Sequence, residues 1–163
     1  MSYATVRAEI KAQLTATGIP IVFPYPRFAV DMATFLTRFK DTVTSRINIA
    51  WFDRVANDED EDGGAASTGG TDEIMITLKK ESWDITYLYG FHDAEEADTP
   101  SATTFQTNVE KIENQFRFLQ DLNGKAWKSH PLRLLEASLR MFGDVLCHRA
   151  VFRLIVDQRV IKP

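Results

Sequence analysis

Residues 83–91 alternate large apolar side chains with smaller or polar ones, which is the pattern of a β-strand with one buried face. The apolar positions are Trp83, Ile85, Tyr87, Tyr89 and Phe91. A period of two does not form one side of a helix, because helical neighbours recur every three or four residues. The chain must therefore fold around a sheet that has a core layer on at least one face.

Three more segments have the composition of strands: Arg46–Val55, Glu73–Lys79 and Val145–Val160. The short LKKES link between the second of these and residues 83–91 predicts an antiparallel hairpin. The proline-rich stretch at 19–28 predicts an extended connector or an edge strand.

Helical spacing of apolar residues predicts four helices, at 3–16, 32–39, 103–122 and 131–142. The longest has apolar residues at spacings of three and four: Phe105, Val109, Ile112, Phe116 and Leu119. Asp31 is the predicted cap of the second helix, and Asn123-Gly124 the predicted stop of the third.

These elements predict an α+β fold with a mostly antiparallel sheet packed by one long amphipathic helix, an N-terminal helix and a closing C-terminal strand. A chain of 163 residues has material for a single domain, 1–163. Eleven Phe, four Tyr and three Trp exclude a disordered chain. Apolar runs of membrane-spanning length and a signal peptide are both missing, so we expect synthesis in the cytoplasm and no membrane partner.

Charge is unevenly divided along the chain. Residues 1–123 carry 11 basic and 20 acidic groups, whereas residues 124–163 carry 8 basic and 3 acidic groups. If folding keeps the two parts apart, unlike surfaces of two copies can meet head to tail. If folding interleaves them, the polarity cancels.

Five consecutive acidic residues open a glycine-rich segment, which predicts a flexible loop at 57–72. Four residues match the first, third, fifth and sixth positions of a calcium-binding loop: Asp58, Asp60, Asp62 and Gly63. The twelfth position is Gly69 where a glutamate belongs, and the flanks are predicted strands. We therefore expect either a solvated loop or an arm that orders against a partner or lines an acidic channel.

The sequence predicts no catalytic, cofactor or metal site. His92, His130 and His148 lie far apart, Cys147 is the only cysteine, and nucleophile-elbow, phosphate-loop, dinucleotide and zinc-protease motifs are missing. The acidic run at 92–98 has the composition of a wet turn. A small enzyme or metal-binding domain that uses the carboxylates of the two acidic runs remains the more distant alternative.

The order of elements resembles that of the tail terminator proteins of long-tailed bacteriophages and of other small ring-forming head–tail joining proteins. TVRAEIKAQL is similar to the opening helix of that family, TFQTNVEKIENQFRFLQDL to its central helix, and FGDVLCHRAVFRLIVDQRV to its closing strand. The resemblance is one of layout and spans most of the chain.

The resemblance implies a structural virion protein at the tail–neck junction and not an enzyme. It implies a hexameric ring that caps the tail tube, ends tail polymerisation and offers a surface to the head-completion (stopper) protein. The tail tube protein is then the second partner, and genomic DNA passes through the lumen without sequence-specific binding. Another neck ring, such as the stopper, or a tail-tube subunit is the nearer alternative.

Three segments are the predicted contacts with neighbouring subunits or the tube: Arg46–Val55, Asp58–Gly70 and Val145–Val160. They combine acidic charge, basic charge and a strand face that is half apolar. The predicted interface residues are Trp51, Asp58, Asp60, Asp62, Arg149 and Arg153.

Overall fold

The protein is seen in a computed structural model that describes residues 3–26, 32–43, 46–66, 74–91, 100–142 and 144–162. Within these ranges the fold is mixed α+β, with three helices and six strands. In chain order the elements are α1 Tyr3–Ala16, β1 Ile21–Phe23, α2 Met32–Phe39, β2 Asn48–Ala66, β3 Ile74–Gly90, α3 Ser101–Arg117, β4 Lys128–Ser129, β5 Arg133–Phe142 and β6 Val145–Lys162. Among the described helices, none has the length and apolar character needed to cross a membrane.

One sheet contains all six strands in the order β1-β2-β3-β6, and both β4 and β5 pair with the far side of β6. Only the pairing of β1 with β2 is parallel, and the other pairs are antiparallel. Edge strand β1 lies in the proline-rich stretch, so the edge-strand alternative predicted there is confirmed. The sheet is therefore built on two long central strands, β3 and β6.

Helices α1 and α3 pack on the first face of the sheet. Val6, Ile10 and Leu14 of α1 are fully buried there. Phe105 of α3 stacks on Tyr87 of β3 with ring centroids 5.8 Å apart. Since alternate strand residues face the same side, every second residue of the central strands joins this core: Ala50, Phe52, Trp83, Ile85, Tyr87, Ala150, Phe152, Leu154 and Val156.

The second face of the sheet is covered at one end by α2. Phe39 of that helix is fully buried against Ile49, Leu88 and Cys147, one from each of three neighbouring strands. These residues alternate with those of the first core, so Cys147 and His148 lie on opposite faces as predicted. The rest of this face has no helix over it among the described residues.

The predicted helices at 3–16 and 32–39 are confirmed, whereas the predicted cap Asp31 lies outside the described residues. The predicted helix at 103–122 is confirmed only as far as Arg117. The chain then turns through positive φ angles of 49°, 54° and 74° at Leu122, Asn123 and Gly124. Leu122 is fully buried, so this turn packs on the core, five residues beyond the end of the helix.

The predicted hairpin at LKKES is wrong. Residues 74–90 form one strand, β3, which pairs along its length with β6. Its hairpin partner is β2, and the register shifts between the two lie at Arg54/Ala56 and Asp60/Gly64 of β2. The polar composition of this link is typical of a turn, but its Glu81 side chain is buried and has partners on both neighbouring strands, so the strand continues through it.

The predicted flexible loop at 57–72 is wrong for residues 57–66. These residues continue β2 and pair with β3, where Asp58 lies opposite Lys80 and Glu59 opposite Lys79. Opposite charges on facing strands stabilise such a pairing, which composition alone does not reveal. Residues 67–73 lie outside the described part of the chain.

The predicted helix at 131–142 is also wrong. Residues 133–142 form strand β5, which pairs antiparallel with β6, with Phe142 opposite Val145. The leucine spacing fits a helix, but a register shift between Leu134 and Glu136 changes the phase of the strand. Long-range pairing with β6 decides the structure here, and local spacing does not.

Glu81 ties the three central strands together. One oxygen of its carboxylate accepts a hydrogen bond from Arg54 Nη1 on β2 at 2.8 Å. The other accepts from Trp83 Nε1 on β3 at 3.3 Å and from Gln158 Nε2 on β6 at 3.2 Å. The side chain is only 1% exposed, so these donors replace the water that the charge has lost.

We expect Glu81→Gln to lower the free energy of unfolding by about 2–3 kcal/mol, since either orientation of the amide sets an N–H against another donor. Denaturant unfolding measures this, with Glu110→Gln on the exposed side of α3 as the matched control. Equal stabilities of the two variants would contradict the role given to Glu81.

Candidate subunit interface

The uncovered part of the second sheet face is built by β2, β3, β6 and β5. Antiparallel pairing places cross-strand partners side by side on the same face. Three rows make up this surface: Leu88, Arg149 and Ser138 in the first, Trp51, Thr86, Val151 and Glu136 in the second, and Asp53, Asp84, Arg153 and Arg133 in the third. The fold thus brings together three predicted interface residues, Trp51, Arg149 and Arg153, from two strands that are far apart in sequence.

An apolar pocket of about 260 Å³ opens at the end of this face that lies beside α2. Its lining consists of Trp51, Leu88, Arg140, Met141, Phe142 and Arg149. The Trp51 indole stacks on the Phe142 ring, with centroids 5.5 Å apart and planes 25° apart. Phe142 in turn packs edge-on against Phe39 of α2 at 5.3 Å. Packing against Phe39, in the buried cluster beneath α2, therefore fixes the aromatic wall of the pocket.

Glu136 fixes the arginine at the rim of the pocket. Its carboxylate accepts hydrogen bonds from Arg149 Nη1 at 2.8 Å and from Ser138 Oγ at 2.7 Å, and Arg140 lies 3.5 Å away. The hydrogen bond from Ser138 and the two guanidinium charges lower the pKa of Glu136 below its ordinary value. Glu136 stays ionised at neutral pH and orients Arg149 beside Trp51.

Arg153 forms a two-pronged ion pair with Asp84 in the neighbouring row. Its Nε and Nη2 donate to the two carboxylate oxygens at 2.8 and 3.0 Å. This hydrogen bonding and the charge of Asp84 raise the pKa of Arg153. Asp53, which is exposed, lies directly opposite Asp84, so Arg153 also offsets the repulsion between those two carboxylates.

An apolar centre with a rim of arginines and carboxylates is the typical anatomy of a protein–protein interface. Aromatic residues, methionine and arginine are the residue types enriched in such surfaces. The arginines here are positioned by partners within the chain, so a docking protein would meet a surface that is already ordered. The geometry is therefore suited to binding another protein.

The structure does not bring the acidic predicted residues to this surface. Asp58 is exposed on β2, seven residues beyond Trp51, which is about 20 Å along an extended strand. Asp60 and Asp62 lie in the same strand, and their side chains are outside the described part. A calcium-binding loop wraps its backbone round the ion, and an extended strand does not.

The described histidines and the cysteine are engaged in the fold. His148 Nε2 lies 3.0 Å from Ser101 Oγ, with both residues buried, and the imidazole stacks on Phe105 at 5.0 Å. His130 Nε2 lies 2.8 Å from an Asp157 oxygen. Over the described residues, no three histidine, cysteine or carboxylate side chains are grouped to hold a metal ion. His92 lies outside the described part.

Sequence reasoning missed the residues that complete the surface, above all Glu136, Arg140 and Phe142. They lie in the segment for which the leucine spacing predicts a helix, and a helix there does not place them beside Trp51 and Arg149. Asp84 was missed for a different reason: its pairing with Arg153 depends on the register of β3 against β6. In the sequence, only the opposite charges of Asp84 and Arg153 indicate that these two residues pair.

No known family model and no curated protein matches the chain.

Burial raises the pKa of the Cys147 thiol from 9.0 to about 11. Because the thiolate is the nucleophile, we expect native protein at about pH 8 to react very slowly with a disulfide reagent. Chain unfolded in concentrated guanidinium chloride is the control and should release one equivalent at once. Full labelling of the native protein within minutes would contradict the packing of α2 over Cys147.

Proposed function

We propose that this protein is a structural, non-enzymatic subunit of a phage neck ring, most specifically of the tail terminator. Its ring caps the finished tail tube, stops polymerisation of the tube protein and offers a surface to the head-completion protein. In this proposal the sheet, with the long helix α3 on its first face, is the rigid body of the subunit. Its work is binding, and no catalytic step is required.

The observation that carries the proposal is the ordered surface around Trp51, on the part of the second sheet face that no described helix covers. Apolar residues line the pocket, while each arginine of the rim is near a carboxylate of the same chain. A surface of this kind favours docking of another protein over binding of a small polar substrate. The layout of elements, which resembles that of tail terminator proteins, decides which kind of protein is proposed.

The distribution of charge supports assembly into a ring. Within the sheet the acidic excess lies on β2, which has six acidic residues and one basic residue, whereas β4, β5 and β6 are each net basic. The sheet order keeps these two groups on opposite sides. Subunits related by a rotation axis can therefore place an acidic side against the basic side of the next copy.

The acidic end of β2 has a place in the same proposal. With Asp58–Asp62 facing the lumen, the ring repels the phosphates of passing DNA and does not retain it. The DNA then passes through without sequence-specific contacts. If this strand faces outwards, the segment serves only as a spacer.

Deletion of the encoding gene from its phage tests the proposal. We expect tails of abnormal length that fail to join filled heads, because nothing ends the growth of the tube. The wild-type gene supplied from a plasmid is the control and should restore both tail length and infectivity. Tails of normal length that join heads normally would contradict the terminator role.

The same experiment separates the nearer alternatives. Loss of a stopper protein leaves tails of normal length and heads that leak DNA. Loss of a tube subunit leaves no tail at all. Either phenotype would overturn the terminator assignment and keep the protein among the virion rings.

A further inference from the structure

Both outer edges of the sheet have backbone that no described strand pairs with. We propose that β5 of one subunit pairs with the outer edge of β2 in the next subunit, so that one continuous sheet runs round the ring. This inference rests on the proposed ring and adds which surfaces form it. The partner is a second copy of this chain.

Strand β5 is an exposed edge with apolar character. It pairs with β6 on one side only, and its ten residues are mostly exposed. Four large apolar side chains are 41–61% exposed: Leu134, Leu135, Leu139 and Met141. An exposed apolar edge strand is a template for pairing with another strand.

The outer edge of β2 is the opposite edge of the same sheet. Strand β1 covers only Ile49–Trp51, so residues 52–66 have no strand on their outer side within the described part of the chain. This stretch is longer than β5. At its start Val55 is 49% exposed and sits at a register shift against β3, where it has no partner of its own.

The two edges carry opposite charge. Strand β2 has six acidic residues and one basic residue, whereas β5 has Arg133 and Arg140 against Glu136. Two β2 edges would repel each other, and so would two β5 edges, although more weakly. Charge therefore favours pairing between unlike edges, which is the head-to-tail contact that a closed ring requires.

The strand directions agree with this contact. Strand β2 is antiparallel to β3, β3 to β6, and β6 to β5, so β2 and β5 run in opposite directions in one subunit. Rotation about an axis roughly along the strands keeps those directions, and the new pair is antiparallel. Traced across β3 and β6, strand β5 lies opposite residues 48–53 of β2. The stretch of β2 without an outer partner, residues 52–66, extends beyond them towards the C-terminal end of β2. Neighbours are therefore staggered, as in sheets that close into barrels.

Two double variants test the pairing, each disabling one edge. Leu139→Glu with Met141→Glu places acidic charges on β5, opposite the acidic edge of β2, and Val55→Lys with Ala56→Lys places basic charges on β2, opposite the basic edge of β5. All four positions are exposed, so the fold should survive. The matched control is Val43→Lys with Phe118→Lys, which changes apolar residues that are 89% and 81% exposed and lie on neither edge.

In sedimentation measurements we expect the control to assemble like the wild type and each edge variant to assemble at least tenfold more weakly. Slow labelling of Cys147 shows that each variant is folded. Mixing the two edge variants should give a dimer and nothing larger, because one intact edge of each kind remains available for one contact.

Three outcomes would overturn the inference. If the wild type assembles and the edge variants assemble equally well, the pairing is wrong and the ring proposal stands. If the mixture of edge variants stays at the mass of single chains, the two edges do not contact each other. If the folded wild type does not assemble, both the pairing and the ring fail.

Discussion

The carboxylate of Glu81 is the constraint on which the rest of the fold depends. A charge that is 99% removed from solvent must find donors within the protein, and it finds them on β2, β3 and β6. Those donors keep 74–90 in one extended strand between two neighbours. The N-terminal helix joins the same cluster, because Tyr3 stacks on Trp83 at 5.2 Å and lies under the Arg54 guanidinium at 4.5 Å.

From that central strand the candidate interface follows step by step. Strand β3 pairs with β6 along sixteen residue positions, which sets Asp84 opposite Arg153 and Leu88 opposite Arg149. Strand β5 then adds Glu136 and Phe142 to the same face. The ordered pocket at Trp51 is thus a product of long-range register, and a shift by one residue would send its side chains to the helix-covered face.

Sequence patterns predicted the elements whose periodicity is strong and whose partners are local. The alternation from Trp83 to Tyr89 and the apolar spacing of α1 and α3 correspond to buried faces in the structure. The patterns failed where a tertiary contact reverses the local signal. The charge of Glu81 predicts a turn, whereas its partners on β2 and β6 keep it inside a strand. The spacing of the leucines in 132–139 predicts a helix, whereas pairing with β6 makes the segment a strand. Of the predicted interface residues, Trp51, Arg149 and Arg153 share a surface because the register of β2, β3 and β6 puts them on the same face of the sheet. Asp58 lies further along β2, apart from them.

A single sheet offers two different surfaces for the proposed contacts with other proteins, its edges and its second face. In the proposed ring, unlike edges of the sheet contact neighbouring subunits, and the second face binds a partner docked on that ring. The most direct test of the central claim is the native mass of the purified protein at moderate salt, by light scattering on a sizing column together with negative-stain imaging. The account predicts a closed particle of about six 18.5 kDa chains with a central opening. A particle with the mass of one chain at every concentration measured would contradict it.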